Sequence, residues 1–383
     1  MQPEVSAIFA AVPDALLIDI AVPSFRLDER VLLAIAALET PSPFRSRVCV
    51  ISDNPDVDIP ESIFRLRDAD TIDLIIHPRN LGIGAARNTA LESGNGKWLL
   101  FLDDDIIPEK DLLFAYAAAI MQHPDAIGFA GVTDFPESFN AVTRALEING
   151  TTGHFLAALH QPLQRWAPTA NLLLNREKLQ NRQFDTALRW SGEDMDFLVR
   201  NSLALQEKYH SVPGAIVHHP WWNNGQLQTG RLFRYGRGAC QVARKNPLNR
   251  YTYLDFTNTP ETLLLLLLVL PVAAMNDSAL LVMLFMGAVL MAELLVNYIK
   301  AIIVGKTFSP QVALSLWWTK FSWECGYLLE SLAVFPPRQF ARRLDMGFRK
   351  ENPSPFRLNR WKIIKLVLIV LLSSFAFWRF KML

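Results

Sequence analysis

At 383 residues the chain is too long for one small domain and suits two or three structural units. Apolar residues make up 51% and charged residues 20%, which excludes a disordered chain. Lys plus Arg number 38 against 37 Asp plus Glu, so net charge gives no argument for nucleic acid as a partner. The three cysteines, Cys49, Cys240 and Cys325, are far apart and lack a CxxC spacing, which argues against a disulfide framework or a Cys-rich zinc site.

Met1 to Asp14 has no basic residue, carries Glu4 and is broken by Pro3 and Pro13, so it does not read as a signal peptide. The N-terminal region is expected on the cytoplasmic side. Leu16 to Val22 reads as a strand feeding the loop at Pro23-Ser24, and Asp28 to Leu38 has helical spacing and stops before Pro41. Arg47 to Ile51 and Ile72 to Ile76 read as further strands, Gly84 to Glu92 as a short helix, and Trp98 to Leu102 as a strand ending directly in Asp103-Asp104-Asp105. This order predicts an α/β fold with a mainly parallel sheet. Ligands of such sheets sit beyond the carboxyl ends of the strands. Ser24, Arg26, Asp53, Asn80 and the three aspartates all fall there.

Three adjacent carboxylates after a buried strand repel one another, a costly arrangement unless a cation neutralises it. In an extended chain Asp103 and Asp105 point to one side and Asp104 to the other. The outer pair then suits a hard divalent ion, Mg²⁺ or Mn²⁺; the alternative is a solvated acidic turn. Further on, Gly192-Glu193-Asp194 opens an apolar-periodic helix. Carboxylates there favour the helix dipole, or they hold a general base on a rigid element. A short strand then ends at Val217-His218-His219, and either histidine is a candidate metal ligand.

The C-terminal third is different. Ala279 to Ile299, about 21 residues with the single charge Glu293, is long enough to cross a ~30 Å hydrocarbon core. Thr262 to Met275 is shorter and interrupted by Pro271, and Asn276-Asp277-Ser278 joins the two as the turn of a helical hairpin. Ile363 to Trp378 is a third apolar run, suited to spanning the membrane or lying in its interface. Val312 to Phe335, with Lys320, Glu324, Glu330 and three tryptophans, is expected to form an interfacial or re-entrant helix pair. Basic residues dominate from Arg231 to Arg250 and from Arg338 to Lys365. Both stretches are predicted to face the cytoplasm and its anionic lipids.

Together these pieces resemble the family 2 glycosyltransferases, inverting enzymes of the GT-A fold, over roughly residues 14 to 222. Ala21-Val22-Pro23-Ser24-Phe25-Arg26 is similar to the family's nucleotide-binding first turn, and Ile51-Ser52-Asp53-Asn54 to the turn whose Asp reads the base. Arg79-Asn80-Leu81-Gly82-Ile83-Gly84-Ala85-Ala86-Arg87-Asn88 resembles its N-x-G-x-x-x-A-R-N run. Asp103-Asp104-Asp105 matches the DxD element, Glu193-Asp194 the ED base motif, and Ala215 to His219 the closing strand with a metal-binding His.

The resemblance implies a Rossmann-like GT-A catalytic domain followed by an α-helical membrane region. Its implied boundaries are 1–225 for the catalytic domain, 226–258 for a basic interfacial segment, 259–300 for a transmembrane hairpin, and 301–383 for interfacial helices, a basic loop and a terminal membrane-associated helix. It implies donor binding by Pro23, Ser24, Arg26, Asp53, Asn80, Gly82, Arg87, Asp103 and Asp104. It also implies metal binding by Asp105, Asp103 and, from the family spacing, His219 rather than His218. Asp194 is then the base, beside Glu193.

The expected reaction moves a sugar from a nucleotide-diphosphate sugar to a lipid-linked glycan, such as a polyprenyl-diphosphate intermediate, at the inner membrane. Arg231, Arg234 and Arg237 would meet the acceptor's phosphates. Processive synthases carry QxxRW after the ED motif, whereas here Gln164-Arg165-Trp166 precedes it, so transfer of one or a few sugars is expected. A nucleotidyltransferase of similar fold would normally carry a Gly-rich first loop. A catalytically silent membrane-bound nucleotide-binding protein would have no need for Asp103, Asp105, Asp194 and His219 together.

Overall fold

Alternation of side chains along a strand lets one buried β-sheet feed two cores. In the computed structural model, which describes residues 16–180, 183–353 and 357–381, the first strand β1 (Leu17–Ser24) does this. Ile18, Ile20 and Val22 enter one apolar cluster, while Ala21 enters the other. The fourth strand, β4 (Trp98–Leu102), divides Trp98, Leu100 and Leu102 from Leu99 and Phe101 in the same way. The expectation for Met1 to Asp14 lies outside the described residues.

Among the described residues nine strands form this sheet. Its path runs from β3 (Ile72–Ile76) through β2 (Arg45–Ser52), β1 and β4 to β8 (Asn171–Asn175), β6 (Gly128–Asp134), β9 (Tyr209–His218) and the two-residue β5 (Ile107–Pro108). Short β7 (Leu163–Gln164) also pairs with β9. The pairs β1–β2, β2–β3, β1–β4 and β6–β9 are parallel. Strand β8 is antiparallel to both β4 and β6, so β6 and β9 run in the direction of β4. The ends of β1, β2, β3, β4, β6 and β9 therefore share one edge of the sheet. This is the GT-A-like mixed, mostly parallel α/β architecture.

Helix α1 (Glu29–Ala36) begins where Asp28 accepts from the Val31 N–H. Helix α2 (Glu61–Asp68) was not expected from the sequence. It buries only Ile63 and is rich in charge, so its periodicity is faint. Helices α3 (Ile83–Glu92), α4 (Leu112–Gln122), α5 (Ala141–Asn149) and α6 (Glu193–Leu205) follow.

The chain divides into two compact units. One comprises the described residues up to Glu137 with Thr152–Arg189 and Glu193–Trp221. The other comprises Ser138–Thr151, Trp190–Gly192 and the described residues from Trp222 on. The boundary is thus not the single cut expected near residue 225: α5 and a three-residue segment before α6 belong with the C-terminal helices.

That second unit contains α7 (Thr229–Arg244), α8 (Thr259–Met275), α9 (Ala279–Ile303), α10 (Pro310–Leu332) and α11 (Arg360–Lys381). A two-stranded ribbon, β10 (Thr252–Leu254) with β11 (Arg342–Leu344), joins them. Helix α9 and the 360–379 stretch of α11 are long and apolar enough to cross a membrane. At 17 residues α8 is shorter, about 26 Å at 1.5 Å per residue. Its Leu267, Leu268 and Val272 are exposed, as are Val367, Val370 and Leu371 of α11. Apolar faces of this extent suit lipid better than water.

The expected helix pair over Val312 to Phe335 is instead one continuous helix, α10. Nothing in its interior breaks it: Pro310 stands in the first turn, where proline is tolerated, and Gly326 is a lone glycine. Its polar residues are absorbed internally, with Lys320 on Glu293, Glu330 on Arg237 and Arg244, and Glu324 accepting from the Thr259 N–H.

Candidate active site

The acidic run is a turn rather than an extended segment, a correction to the alternation expected for Asp103 and Asp105. Strand β4 is wholly buried and ends at Leu102, beyond which three carboxylates cannot continue into the core. The middle acid is held by the first loop. Asp104 Oδ2 accepts from Ser24 Oγ at 2.8 Å and the Phe25 N–H at 3.2 Å, and Arg26 donates to Oδ1 at 3.0 Å. Arg26 also lies 3.7 Å from Asp105 Oδ2. Ser24, Phe25, Arg26 and Asp104 thus join the β1 and β4 loops to each other, with Pro23 paired to Ile51 of β2 just before them, which leaves Asp103 and Asp105 on either side of the turn.

Asp103 faces Arg87, whose Nη2 is 3.8 Å from Asp103 Oδ1. Arg87 is buried on α3, and its other terminal nitrogen pairs with Glu193 Oε1 at the start of α6. One guanidinium therefore links the strand-end acids to the Glu193-Asp194 motif. Arg is suited to this because its fork is planar and always charged. The neighbouring Asn88 clamps backbone in both directions: Oδ1 accepts from the Phe184 N–H at 2.7 Å and Nδ2 donates to the Phe184 carbonyl at 3.0 Å. This fixes the turn of α3 that carries Arg87.

Asp194 has one oxygen committed, since Oδ1 accepts from the Met195 N–H at 2.7 Å. Burial pushes its carboxyl up to about 7, and the charge of Glu193 adds to the rise while Arg87 opposes it. A helix N-terminus favours a carboxylate by about 0.3–1 kcal/mol, and here burial outweighs it. Burial likewise pushes Asp103 up to about 6, opposed by Arg87 and reinforced by Asp105. Both acids change charge near neutrality.

His219, just past β9, is buried, and its Nε2 lies 3.2 Å from Asp105 Oδ1. His218 is half exposed and faces away, to Glu109 at 2.8 Å and Asp134 at 3.6 Å. His219 Nδ1 lies 2.5 Å from the Pro220 carbonyl. A carbonyl only accepts, so Nδ1 carries a hydrogen. In the neutral ring Nε2 is then a lone-pair donor facing a carboxylate, and the two need a proton or a cation between them. Histidine ligands of metals commonly have this outer bond. Oxygen plus imidazole suits a divalent ion, so Asp105 and His219 fit one. Asp103 is turned toward Arg87, and among the described residues no three His, Cys, Asp or Glu side chains form a ready cage.

Phe135 stacks on the His219 ring, centroids 4.9 Å apart, and holds its plane. No sequence signal pointed to Phe135. His77 was also missed: its Nδ1 bonds Asp53 at 2.8 Å and its Nε2 bonds Thr89 Oγ1 at 2.9 Å. Asp53 further accepts from the N–H groups of Leu81 (2.8 Å) and Gly82 (2.7 Å). Three bonds leave a buried carboxylate one lone-pair position, on Oδ2. Gly82 has φ +91°, a conformation that favours glycine, and it turns the chain into α3. Asn80 is exposed beside it.

Of the expected acceptor residues, Arg237 is committed to Glu330 at 2.9 Å and lies over the Trp190 ring. Arg231 lies over Trp222, and Arg234 is exposed. All three are on α7, in the second unit.

The sequence model of glycosyl transferase family 2 matches residues 19–190. A succinoglycan biosynthesis protein of Rhizobium meliloti, ExoM, is 30% identical over 220 residues, which is 54% of this chain and 68% of that protein. The chain belongs to glycosyl transferase family 2. A pre-mycofactocin glycosyltransferase of Mycobacterium tuberculosis is 25% identical over 205 residues, 52% of this chain and 43% of its own length. The family 2 chain thus spans less than half of that relative. Among solved structures, residues 1–349 of Staphylococcus aureus TarS are similar at TM-score 0.43 and 15% identity, covering 60% of this chain and 66% of that one. The mannosyltransferase PcManGT of Pyrobaculum calidifontis, in complex with GDP-Man and Mn²⁺, is similar at TM-score 0.42 and 16% identity, covering 58% and 62%. Likeness at this level carries no argument about the site.

Proposed function

We propose that this family 2 glycosyltransferase is an inverting, divalent-metal-dependent enzyme. It would move one sugar from a nucleotide-diphosphate donor to a hydroxyl of a lipid-linked glycan at the cytoplasmic face of the inner membrane. The observation that carries this reading is Arg87, which contacts Asp103 on one side and Glu193, next to Asp194, on the other. Donor phosphates and acceptor hydroxyl would then meet within one buried electrostatic unit.

Asp194 takes the proton of the acceptor hydroxyl at Oδ2, since Oδ1 is held by Met195. The freed oxygen bonds the anomeric carbon as the bond from that carbon to the diphosphate oxygen breaks. A single displacement inverts the configuration and needs no enzyme nucleophile. Arg87 pairs with Glu193 and orders it, so that Glu193 is engaged by the guanidinium beside Asp194. A divalent ion held by Asp105 and His219, assisted by Asp103, would supply positive charge to the leaving diphosphate. Asn80, Gly82 and the remaining Asp53 lone pair are assigned to the nucleotide.

The lipid acceptor is supported by the exposed apolar helices and by Arg231 and Arg234, which have no carboxylate partner among the described residues. A polysaccharide-building role is supported by the name of the Rhizobium relative. Transfer of single sugars is supported by Gln164 and Arg165, which serve the fold through Ser211 at 2.8 Å and Ser202 at 3.4 Å. The test is incubation of membranes containing the chain with a panel of radiolabelled donors, followed by lipid extraction. One donor should label the lipid fraction, only with Mg²⁺ or Mn²⁺, and the product should have the anomeric configuration opposite to the donor. Label that stays water-soluble with every donor, or retained configuration, would overturn the reading.

A further inference from the structure

The second unit contains a cavity of about 180 Å³ between α9, α10 and α11, well beyond the ~10–15 Å³ that one water centre needs. Four lysines line it, Lys300, Lys320, Lys362 and Lys365, against two carboxylates, Asp255 and Glu293. Three of the lysines are paired. Lys320 and Lys365 each reach Glu293 at 2.5 Å, Lys320 also lies 3.5 Å from Glu324 behind the lining, and Lys362 reaches Asp255 at 2.6 Å, so one lysine of the four is left over. Glu293 also accepts from Asn297 and Thr259, both at 3.0 Å, so its oxygens are fully used.

Lys300 is the surplus charge. Its ammonium donates to the neutral amide oxygen of Asn149 at 2.9 Å, and among the described residues it has no carboxylate. It is within electrostatic reach of Lys320 and Arg360, which have the same sign, and of Glu293, whose carboxylate is already paired with Lys320 and Lys365. A partly buried ammonium on a membrane-crossing helix is costly without a counter-charge. The cavity is therefore built for an anion that the protein does not supply.

Its place in the fold selects which anion. Glu293 and Lys300 are in the last turns of α9, and Trp361 and Lys365 in the first turns of α11. Lys365 pairs with Glu293 while Trp361 shares the cavity with Lys300, so the two helices run antiparallel. Their apolar remainders extend in the same direction from the cavity and expose Leu280, Met283, Leu366 and Val370. A tryptophan in the lining, Trp361, is what a membrane–water interface favours. We propose that this cavity binds the phosphate headgroup of an anionic membrane lipid, with its acyl chains along α9 and α11. The site is independent of the transfer reading, because it uses none of the residues assigned to donor or base.

Native mass spectrometry of the purified full chain in detergent, titrated with dioleoyl phosphatidylglycerol or dioleoyl phosphatidylcholine, tests this. Wild type should retain phosphatidylglycerol in preference to phosphatidylcholine. Lys300→Gln should weaken that retention roughly tenfold, as expected for loss of one charge-assisted contact. Lys300→Arg should keep it, which separates loss of charge from loss of fold. Lys306→Gln, an exposed lysine outside the cavity, should leave it unchanged. The proposal is overturned if Lys300→Gln binds like wild type, or if Lys306→Gln weakens binding equally. It is also overturned if millimolar inorganic phosphate displaces the lipid, because the cavity would then be a small-ion site.

Discussion

Asp194 combines two demands that oppose each other. A general base works best with a pKa near the working pH, and burial lifts this carboxyl to about 7. The same lift destabilises the fold at neutral pH. A carboxyl whose folded pKa lies above its unfolded value contributes fully only below the unfolded value, about 4, and the contribution is lost as pH rises through about 7. Asp194→Asn should therefore lower kcat by about 10²–10⁴ while leaving donor affinity in place. It should also melt higher than wild type at pH 8 in metal-free buffer, by roughly 1 kcal/mol or more after allowing for solvent screening, and match it at pH 4. The wild-type kcat/KM should rise with pH, half-maximal near 7, and the variant's should not. Thermal melts and rate profiles across pH 4 to 9 check both halves. A variant that is slow yet no more stable at pH 8 would mean that Asp194 is not buried as a charge.

At the scale of elements, strands with strong patterns were legible: Ile72–Ile76 and Trp98–Leu102 were read to the residue. What escaped depended on partners far away in sequence. The acidic run looked extended because alternation is local, whereas its turn is set by Ser24 and Arg26, about 80 residues earlier. The Arg87–Glu193 pair spans 106 residues, and no spacing rule joins them. Helix α10 looked like two helices because its charges suit no lipid face, yet Arg237, Arg244 and Gln241 of α7 all converge on its Glu330. This crossing has a steric requirement that the sequence hid in two ordinary glycines. A Cβ on Gly326 would lie 2.0 Å from the Phe233 carbonyl oxygen, and one on Gly236 would lie 1.9 Å from that of Trp323. The backbones of α7 and α10 touch through these positions, as small residues permit. Gly326→Ala should cost about 1–3 kcal/mol or more, read as a lower melting temperature in detergent. The exposed Gly230→Ala, whose Cβ meets only the end of Arg234, should be close to neutral.

For the whole molecule, the proposed arrangement in the membrane rests on lengths and charges. Helix α9 has 25 residues, about 38 Å, and the 360–379 stretch has 20, about 30 Å. Both therefore reach across a ~30 Å core, and α8 reaches across only with local thinning or help from neighbours. In the proposed arrangement, basic residues before α8 and before α11 would put those two helix starts on the cytoplasmic side by the positive-inside rule. The turn at Asn276-Asp277-Ser278 would then face outward, and α10 would return the chain without adding a crossing. A pair of single-cysteine probes tests this, because the native Cys49 and Cys240 are buried and Cys325 is the one partly exposed background to replace. Asp277→Cys should react in intact cells with a membrane-impermeant maleimide. Lys350→Cys should react only after permeabilisation. If Lys350→Cys labels in intact cells, the basic stretch is outside. A cytoplasmic nucleotide-sugar then could not reach the catalytic unit as proposed, even with the chemistry of Asp103, Arg87 and Asp194 intact.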